Sequence, residues 1–448
     1  MRAVPVVRQL QREDELRNRE SVALAPCIDQ QQTTGDARKR RRHLYKVLGP
    51  LFMLLILWID LFAAEGAFKG GPNGKTFGAD WAMFMGAAGM MRQGQNPYAH
   101  SALYRAEKQL LVRQGLPILK HRDTVRVGNP PLFFWALESL PSRPFQPVAL
   151  GSILVLYLLS IAGFIAALYR FGWKRYTLAA LCFMLMPQVV LGTFYGNIIG
   201  LVFAGIGVSL AVAPRYPALA GALLSVAWLK PPVALPMVLL TAAFHVARPA
   251  RLVAGFSLTT AGLFGLTLLT TGWSSVVQWT GGLVGYSHDM RIQPDVASLA
   301  GLYVRWMPSL GRSALEALSL GLAIAITAVY WYRVRRNAPL DFARDGWLWV
   351  AWMLATPYAH FYDEMILAIP VAALLGRHGC RLNQRLPALA LYLMFFSLLL
   401  LSWTPFKAYL LPLPLAGVAA CMLLVNHHPR DRSSWSTEFA PSTVAGAN

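Results

Sequence analysis

The sequence contains few charged residues for its length. Asp, Glu, Lys and Arg make up only 14% of its 448 residues, whereas 56% are hydrophobic. Soluble domains carry about 25% charged and about 45–50% apolar residues. Here the apolar residues form runs of about 15–23 residues, and such runs cross or nearly cross the ~30 Å hydrocarbon core of a bilayer. This composition excludes an ordinary water-soluble globular protein and predicts a chain that crosses the membrane several times.

Cysteine is also scarce. The four cysteines are widely spaced and form no Cys-x-x-Cys pair, so neither a disulfide framework nor a cysteine metal site is expected. The sequence contains no Asp-x-Asp pair either, and closely spaced carboxylates are common ligands of a Mg²⁺-nucleotide. We therefore expect no metal ion and no other cofactor.

Acidic residues are outnumbered by basic ones. There are 41 Lys and Arg residues against 21 Asp and Glu residues, which gives a formal net charge of +20. Such a balance can indicate nucleic acid or anionic lipid as a partner. Because the charges lie between apolar runs and no DNA-binding motif is present, we expect membrane lipids and no nucleic acid.

The N-terminal part of the chain sets the predicted orientation. Residues 1–43 are polar and end in a basic cluster, Arg38 to Arg42, which predicts a disordered cytoplasmic tail rather than a cleaved signal peptide. The apolar run 44–64 follows directly. The positive-inside rule therefore places the start of this run in the cytoplasm and its end on the outer side.

A long first extracytoplasmic loop is expected to follow. Residues 65–130 contain glycine, proline and charges but no spanning run. Helical patterns over 81–92 and 101–114, and a short apolar stretch over 130–140, predict helices in the membrane interface.

The rest of the chain predicts an all-α polytopic membrane protein. The further apolar runs cover 147–169, 177–194, 198–213, 217–230, 231–247, 251–271, 313–333, 344–359, 361–377, 386–403 and 406–425. With the first run they give about 12 crossings, within a range of about 10–13 transmembrane helices. We expect a membrane domain over 44–425 and a tail over 426–448. Both termini are then cytoplasmic, on the side that holds about 26 of the 41 Lys and Arg residues.

Polar residues from separate parts of the chain return to the outer side in this topology. Ionisable groups at membrane depth are costly, so they often face a cavity or carry function. In chain order the candidates are Asp80, Asn96, Tyr98, Arg126, Tyr195, Asn197, Lys230, His288, His360 and Asp363. Their shared location favours a functional site over unrelated surface positions.

Several candidates also have a simpler interpretation. Asp80 can cap the helix that follows it, and Lys230 can extend its ammonium to the interface. Residues 96–98, Asn-Pro-Tyr, can be a turn. His360 can be an interfacial histidine paired with Asp363.

Several short motifs, in their order, resemble glycosyltransferase family 87. The resemblance covers about residues 44–425 and is carried by residues 80–98, which end in Gly-Gln-Asn-Pro-Tyr, by Asn129-Pro130-Pro131-Leu132, by Tyr195-Gly196-Asn197, by Trp228-Leu229-Lys230-Pro231-Pro232 and by residues 356–363. The chain departs from the family pattern at Gly196-Asn197, where many members have Gly-Gln followed by Asn.

The resemblance implies a polyprenyl-phosphate-dependent transferase of the GT-C fold. Such an enzyme takes a hexose, typically mannose, from a polyprenyl phosphate sugar and passes it to a lipid or glycan acceptor. Its home would be a bacterial inner (plasma) membrane, with the active site facing the outside or periplasm. Asp80 matches the family's base, and we expect Lys230, His360 and Arg126 to bind substrate by supplying positive charge to the leaving phosphate. The other candidates are expected to contact the substrate as well: Asn96, Tyr98, Tyr195, Asn197, His288 and Asp363.

Two other classes fit the composition. A multi-pass transporter or lipid flippase also has many spans, a broken helix pair and buried charge. A lipid-binding partner in a cell-envelope complex, without catalysis, is the second alternative. No paired inverted halves are found in the sequence, and the polar groups favour one face rather than the midplane, which favours the enzyme over the transporter.

Overall fold

A computed structural model of the chain describes residues 78–115, 127–171, 186–231, 249–290, 345–356, 359–377 and 415–420, with isolated residues and short pieces elsewhere. The predictions for the two tails, for the apolar runs 44–64 and 386–403 and for Arg126 lie outside the described residues. Within the described residues helix predominates and no strand is formed. A single antiparallel bridge joins Val296 to His360 there.

The first loop is helical where the sequence predicts it. Helix α1 covers Ala79–Arg92 and helix α2 covers His100–Arg113. The two pack closely because Gly86 of α1 has no side chain: a Cβ there would lie 3.2 Å from the Glu107 backbone nitrogen. A short helix, α3, follows over Pro131–Ala136, with a 3₁₀ turn over Leu140–Ser142.

Four further helices follow in the chain. They are α4 (Phe145–Arg170), α5 (Pro187–Phe194), α6 (Ile199–Val212) and α7 (Pro217–Leu224). Helix α4 crosses α6 at small residues, where a Cβ on Gly207 would lie 2.1 Å from the Gly163 carbonyl oxygen. Close backbone approach at small residues is typical of helix pairs in membranes. A 3₁₀ segment over Ser225–Leu229 continues from α7 and leads to Lys230.

Helix α8 covers Pro249–Met290 and is longer than the sequence predicts. The apolar run ends at 271, and Gly272 interrupts the helix there with φ 78° and ψ 168°. Helical structure nevertheless continues beyond this kink, because inward-facing residues such as Trp279 pack on the first loop. Between the apolar runs 251–271 and 313–333 the sequence predicts an outer loop that contains His288. The structure instead places the His288 backbone on α8, and its side chain lies outside the described residues.

Two described helices are long and apolar enough to cross a membrane. They are α4, with 26 residues, and the 37-residue part of α8 over Pro249–Gly285. At ~1.5 Å per residue a 26-residue helix is about 39 Å long, which exceeds the ~30 Å hydrocarbon core. The other predicted crossings, and hence the helix count and the GT-C fold, stay predictions.

The last described helices lie in the predicted runs 344–359 and 361–377. Helix α9 covers Trp347–Ala355, and a 3₁₀ segment over Phe361–Leu367 leads into α10, Ala368–Arg377. The start of α1, the end of α5, the residue after Leu229 and the start of the Phe361–Leu367 segment meet at one place in the fold.

Candidate active site

Asp80 is fixed at the start of α1 by backbone pairing with the end of α5. The Gly78 amide donates to the Phe194 carbonyl at 3.0 Å, and the Asp80 amide donates to the Tyr195 carbonyl at 3.0 Å. The helix begins at Ala79, one residue before Asp80, and Gly78 occupies the N-cap position without a side-chain hydrogen bond. The capping interpretation of Asp80 is therefore wrong. Its side chain is partly exposed.

Asn197 holds the Asp80 carboxylate. Its Nδ2 donates to Asp80 Oδ2 at 2.8 Å, while its Oδ1 accepts the backbone N–H of Ile199 at 3.0 Å. Asn197 is buried. At the position where the chain departs from the family pattern, the amide of Asn197 thus lies directly against the Asp80 carboxylate.

The turn before Asn197 requires glycine. Gly196 has a φ of 75°, in the left-handed region, which glycine adopts without steric cost. The Trp81 indole lies against it, so that a Cβ on Gly196 would be 2.2 Å from Trp81 Cδ1. Sequence reasoning missed Trp81, and only its position next to Asp80 could have drawn attention to it.

Lys230 is buried and paired. Its ammonium donates to Asp363 Oδ1 and, at 3.3 Å, to Asn197 Oδ1. The same nitrogen lies 4.8 Å from the centre of the Tyr362 ring, a cation–π distance. The interpretation of Lys230 as a residue that extends to the interface is wrong, because carboxylate, amide and ring surround its charge inside the fold.

His360 and Asp363 close the site from the other side. Asp363 Oδ2 accepts the His360 backbone N–H at 2.9 Å, and the Asp363 amide donates to the His360 carbonyl at 2.9 Å. The predicted pairing of the two residues is present, but these bonds use the His360 backbone. The His360 ring stacks on Tyr362, with centroids 5.0 Å apart, and Tyr195 meets Tyr362 at 6.4 Å. Tyr362 was not among the predicted site residues.

A chain of hydrogen bonds joins the first loop to Lys230. The Tyr98 hydroxyl donates to the Asn129 carbonyl at 2.9 Å, and Asn129 Nδ2 donates to the Leu229 carbonyl at 2.8 Å. Burial raises the pKa of Tyr98 above its usual range, so this hydroxyl stays a donor. Asn96 Oδ1 accepts the Tyr98 backbone N–H at 2.9 Å, as the turn interpretation expects.

Helix α8 packs against the same part of the first loop. Trp279 Nε1 donates to the Gly128 carbonyl at 3.0 Å, and Gly282 lies against the Tyr98 ring, with a would-be Cβ at 3.0 Å. Asn129 belongs to one of the family motifs but was not predicted as a site residue, and neither was Trp279. Each binds a backbone carbonyl that is distant in the chain, which is a tertiary contact.

A second buried carboxylate lies beside the site. Glu364 follows Asp363 and is fully buried, and Gln188 Nε2 donates to its Oε2 at 2.9 Å. This pair joins α5 to the segment Phe361–Leu367 and was also missed. Within the part of the chain that the structure describes, no group of three or more His, Cys, Asp and Glu residues could hold a metal ion.

The site therefore combines three chemical groups. A partly exposed carboxylate, Asp80, can accept a proton. A buried amide orients that carboxylate, and the buried cation of Lys230 lies one hydrogen bond beyond the amide. Of the ten predicted residues, the structure brings six together: Asp80, Tyr195, Asn197, Lys230, His360 and Asp363. Tyr98 reaches them through Asn129, and Asn96 supports Tyr98.

These features define a helical protein with apolar, membrane-length helices and a site in which a carboxylate, an amide and a buried cation are joined by hydrogen bonds. The family model of glycosyltransferase family 87 matches residues 129–357, just over half of the chain. The chain belongs to glycosyltransferase family 87 and is a glycosyltransferase, which favours the enzyme over the two alternatives. With the two apolar helices, the family indicates a membrane protein.

Searches of curated proteins and of solved structures gave no match. The matched range contains Asn197 and Lys230 but neither Asp80 nor Asp363. The two carboxylates contact the matched range only through the fold: Asp80 binds Asn197, and Asp363 binds Lys230.

Proposed function

We propose that the protein transfers a hexose from a polyprenyl phosphate sugar to a lipid or glycan acceptor, with Asp80 as general base. The observation that supports this most directly is the hydrogen bond from Asn197 to Asp80, with Lys230 bound to the same amide. It gives the site a carboxylate for the acceptor and a cation for the leaving group.

The reaction is a single displacement. An acceptor hydroxyl attacks the anomeric carbon of the sugar and gives its proton to the Asp80 carboxylate. The bond between that carbon and the phosphate oxygen breaks, and the phosphate leaves with the electron pair. Attack from the opposite face inverts the anomeric centre.

The leaving phosphate needs positive charge more than it needs a proton. We assign this role to Lys230, His360 and Arg126. The Lys230 charge is shared with Asp363, so a phosphate would bind beside an existing ion pair. We assign Tyr195, Tyr98, Asn96, His288 and Asp363 to the lining of the substrate site, and we propose no metal or other cofactor.

The sugar and the location rest on the family resemblance. We propose mannose as the hexose and the extracytoplasmic face of the inner membrane as the place of reaction, with both termini in the cytoplasm. The basic first loop would attract anionic lipid phosphates to that face.

The test is transfer of label from a radioactive polyprenyl phosphate mannose in membranes that contain the full chain. We expect a labelled lipid or glycan product with the wild type and none with Asp80→Asn. Glu138→Gln is the matched control, because Glu138 is also a partly exposed carboxylate near the first loop but lies outside the site. This control should transfer label like the wild type.

Each other result has a defined meaning. Equal transfer by wild type and Asp80→Asn would show that the base is another group. If the wild type moves no label from mannose, the donors carrying glucose and galactose are tested in the same membranes. Failure of all three would contradict the polyprenyl phosphate donor.

A further inference from the structure

We propose that Asn197 is a positioning residue for the base and does not bind substrate. In this proposal its amide holds the Asp80 carboxylate in one orientation, and Lys230 and the Ile199 backbone fix that amide. The inference rests on the proposed role of Asp80 and assigns to Asn197 a function different from the substrate contact expected from the sequence.

The contacts of Asn197 allow only one orientation of its amide. The oxygen Oδ1 accepts from the Ile199 N–H at 3.0 Å and from the Lys230 ammonium at 3.3 Å. Both partners are donors and cannot accept a hydrogen bond. A flipped amide would place its NH₂ group against them and its oxygen against the Asp80 carboxylate. The orientation with Nδ2 towards Asp80 therefore follows from the chemistry of the neighbours and not from a choice between similar atoms.

The backbone on both sides of this hydrogen bond is also fixed. The backbone N–H of Asn197 donates to the Gly192 carbonyl at 2.9 Å, and the backbone N–H of Asp80 donates to the Tyr195 carbonyl at 3.0 Å. Gly196, which precedes Asn197 in the chain, has a positive φ that favours glycine. Base and amide are thus held on two rigid elements, and a catalytic group needs such support to stay within about 0.5 Å of its productive position.

Lys230 takes part in this arrangement through its own anchors. The Asp363 carboxylate and the Tyr362 ring hold its ammonium, and Asp363 is in turn held by the His360 backbone N–H. The chain of contacts thus runs from the segment at 360–363 through Lys230 and Asn197 to Asp80. Lys230 is then a positioning residue for the base, in addition to its proposed role of supplying positive charge to the leaving phosphate.

The variant Asn197→Asp tests this inference. The new carboxylate can still accept from Ile199 and Lys230. Towards Asp80, however, the donor is replaced by a second negative charge, which repels the Asp80 carboxylate. We expect kcat for transfer from polyprenyl phosphate mannose to fall about 10- to 100-fold, the size of effect that a misplaced catalytic group can have. The KM for polyprenyl phosphate mannose should stay within about threefold, because no contact with this substrate is removed.

An exchanged pair shows whether the contact itself is responsible. In the double variant Asp80→Asn with Asn197→Asp, the amide at 80 can donate to the carboxylate at 197, so the hydrogen bond is restored in reverse. We expect the Tm of the purified protein to fall in Asn197→Asp and to recover in the double variant, while transfer stays absent. Gln114→Glu is the matched control, because Gln114 also bridges a backbone carbonyl and a backbone N–H, those of Arg143 and Phe145, away from the site. This control should keep the wild-type kcat.

Three results would overturn the inference. A raised donor KM with unchanged kcat in Asn197→Asp would make Asn197 a substrate ligand. A kcat within about threefold of wild type would show that Asp80 needs no amide. A double variant with a Tm no higher than that of Asn197→Asp would show that the two side chains do not form the bond. Full activity of Asp80→Asn would instead contradict the proposed base, and the inference with it.

Discussion

Two carboxylates of the site, Asp80 and Asp363, have opposite surroundings. Asp363 is fully buried, forms an ion pair with Lys230 and accepts the backbone N–H of His360. Asp80 is partly exposed and accepts from the neutral amide of Asn197. A buried carboxylate in an ion pair cannot take a proton without leaving its cation alone in the fold. A partly exposed carboxylate can meet a substrate hydroxyl and take its proton.

The comparison assigns different roles to two residues of the same chemical type. Asp363 holds the cation in place, and Asp80 is available for chemistry. Variants at the two positions should therefore differ in kind: one should change mainly the stability of the protein and the other mainly its turnover.

The largest effect is expected for Asp363→Ala. This change leaves the Lys230 ammonium buried without its carboxylate, and such a loss destabilises proteins by about 3–5 kcal/mol. Thermal unfolding of the purified full chain should show a strongly lowered Tm, and transfer activity should be lost with the fold. In the double variant with Lys230→Met, neither charge of this ion pair remains, and the Tm should recover in large part. If Asp363→Ala unfolds at the wild-type temperature, the ion pair does not stabilise the protein.

Asp80→Asn should have a large effect on turnover and a small one on stability. General base catalysis contributes about 10²- to 10⁴-fold, so transfer should fall by a factor of this size. The Tm should stay close to that of wild type, because the Asp80 side chain is partly exposed and no ion pair is lost. Activity and Tm measured on the same preparation give the comparison with Asp363→Ala. A collapse of the Tm in Asp80→Asn would remove the distinction between the two carboxylates.

The sequence predicted helices and site residues better than it predicted contacts. The helices of the first loop and the cross-chain grouping of Asp80, Asn197, Lys230 and Asp363 followed from apolar runs, polar residues at their ends and the family motifs. The partner of each residue did not follow, because Lys230 could equally have extended to the interface. Only the fold shows that the 3₁₀ segment after α7 brings Lys230 beside the segment at 360–363.

Other parts of the site left little trace in the sequence. Trp81 and Tyr362 are aromatic residues among many, and what distinguishes them is a contact with Gly196 or with the Lys230 ammonium. The continuation of α8 beyond Gly272 was missed because the apolar run ends where a series of Thr, Gly and Ser residues begins. Packing of Trp279 on the first loop, which is a tertiary contact, accounts for the additional helix.

Gly196→Ala should have an intermediate effect, because it alters the turn beside Asp80. The new Cβ would meet Trp81 Cδ1 at 2.2 Å, and the positive φ strains any other residue. We expect a loss of about 1–3 kcal/mol of stability and a lower kcat, because the turn carries Asn197. Gly94→Ala is the matched control: it also has a positive φ, of 70°, but nothing lies within 4 Å of its would-be Cβ. Equal losses in the two variants would show that the Trp81 contact is unimportant.

The smallest effect is expected for Tyr98→Phe, which tests the Asp363 side through Lys230. The variant removes the hydroxyl that donates to the Asn129 carbonyl, while Asn129 Nδ2 still donates to the Leu229 carbonyl. A single hydrogen bond of this kind contributes about 0.5–1.5 kcal/mol, so a slightly lower Tm is expected. The kcat should change little, because Asn129 still binds the Leu229 carbonyl and Lys230 keeps its contacts with Asp363 and Asn197. A loss of turnover as large as that of Asp80→Asn would show that the Tyr98 hydroxyl acts in the reaction itself and does not only line the substrate site.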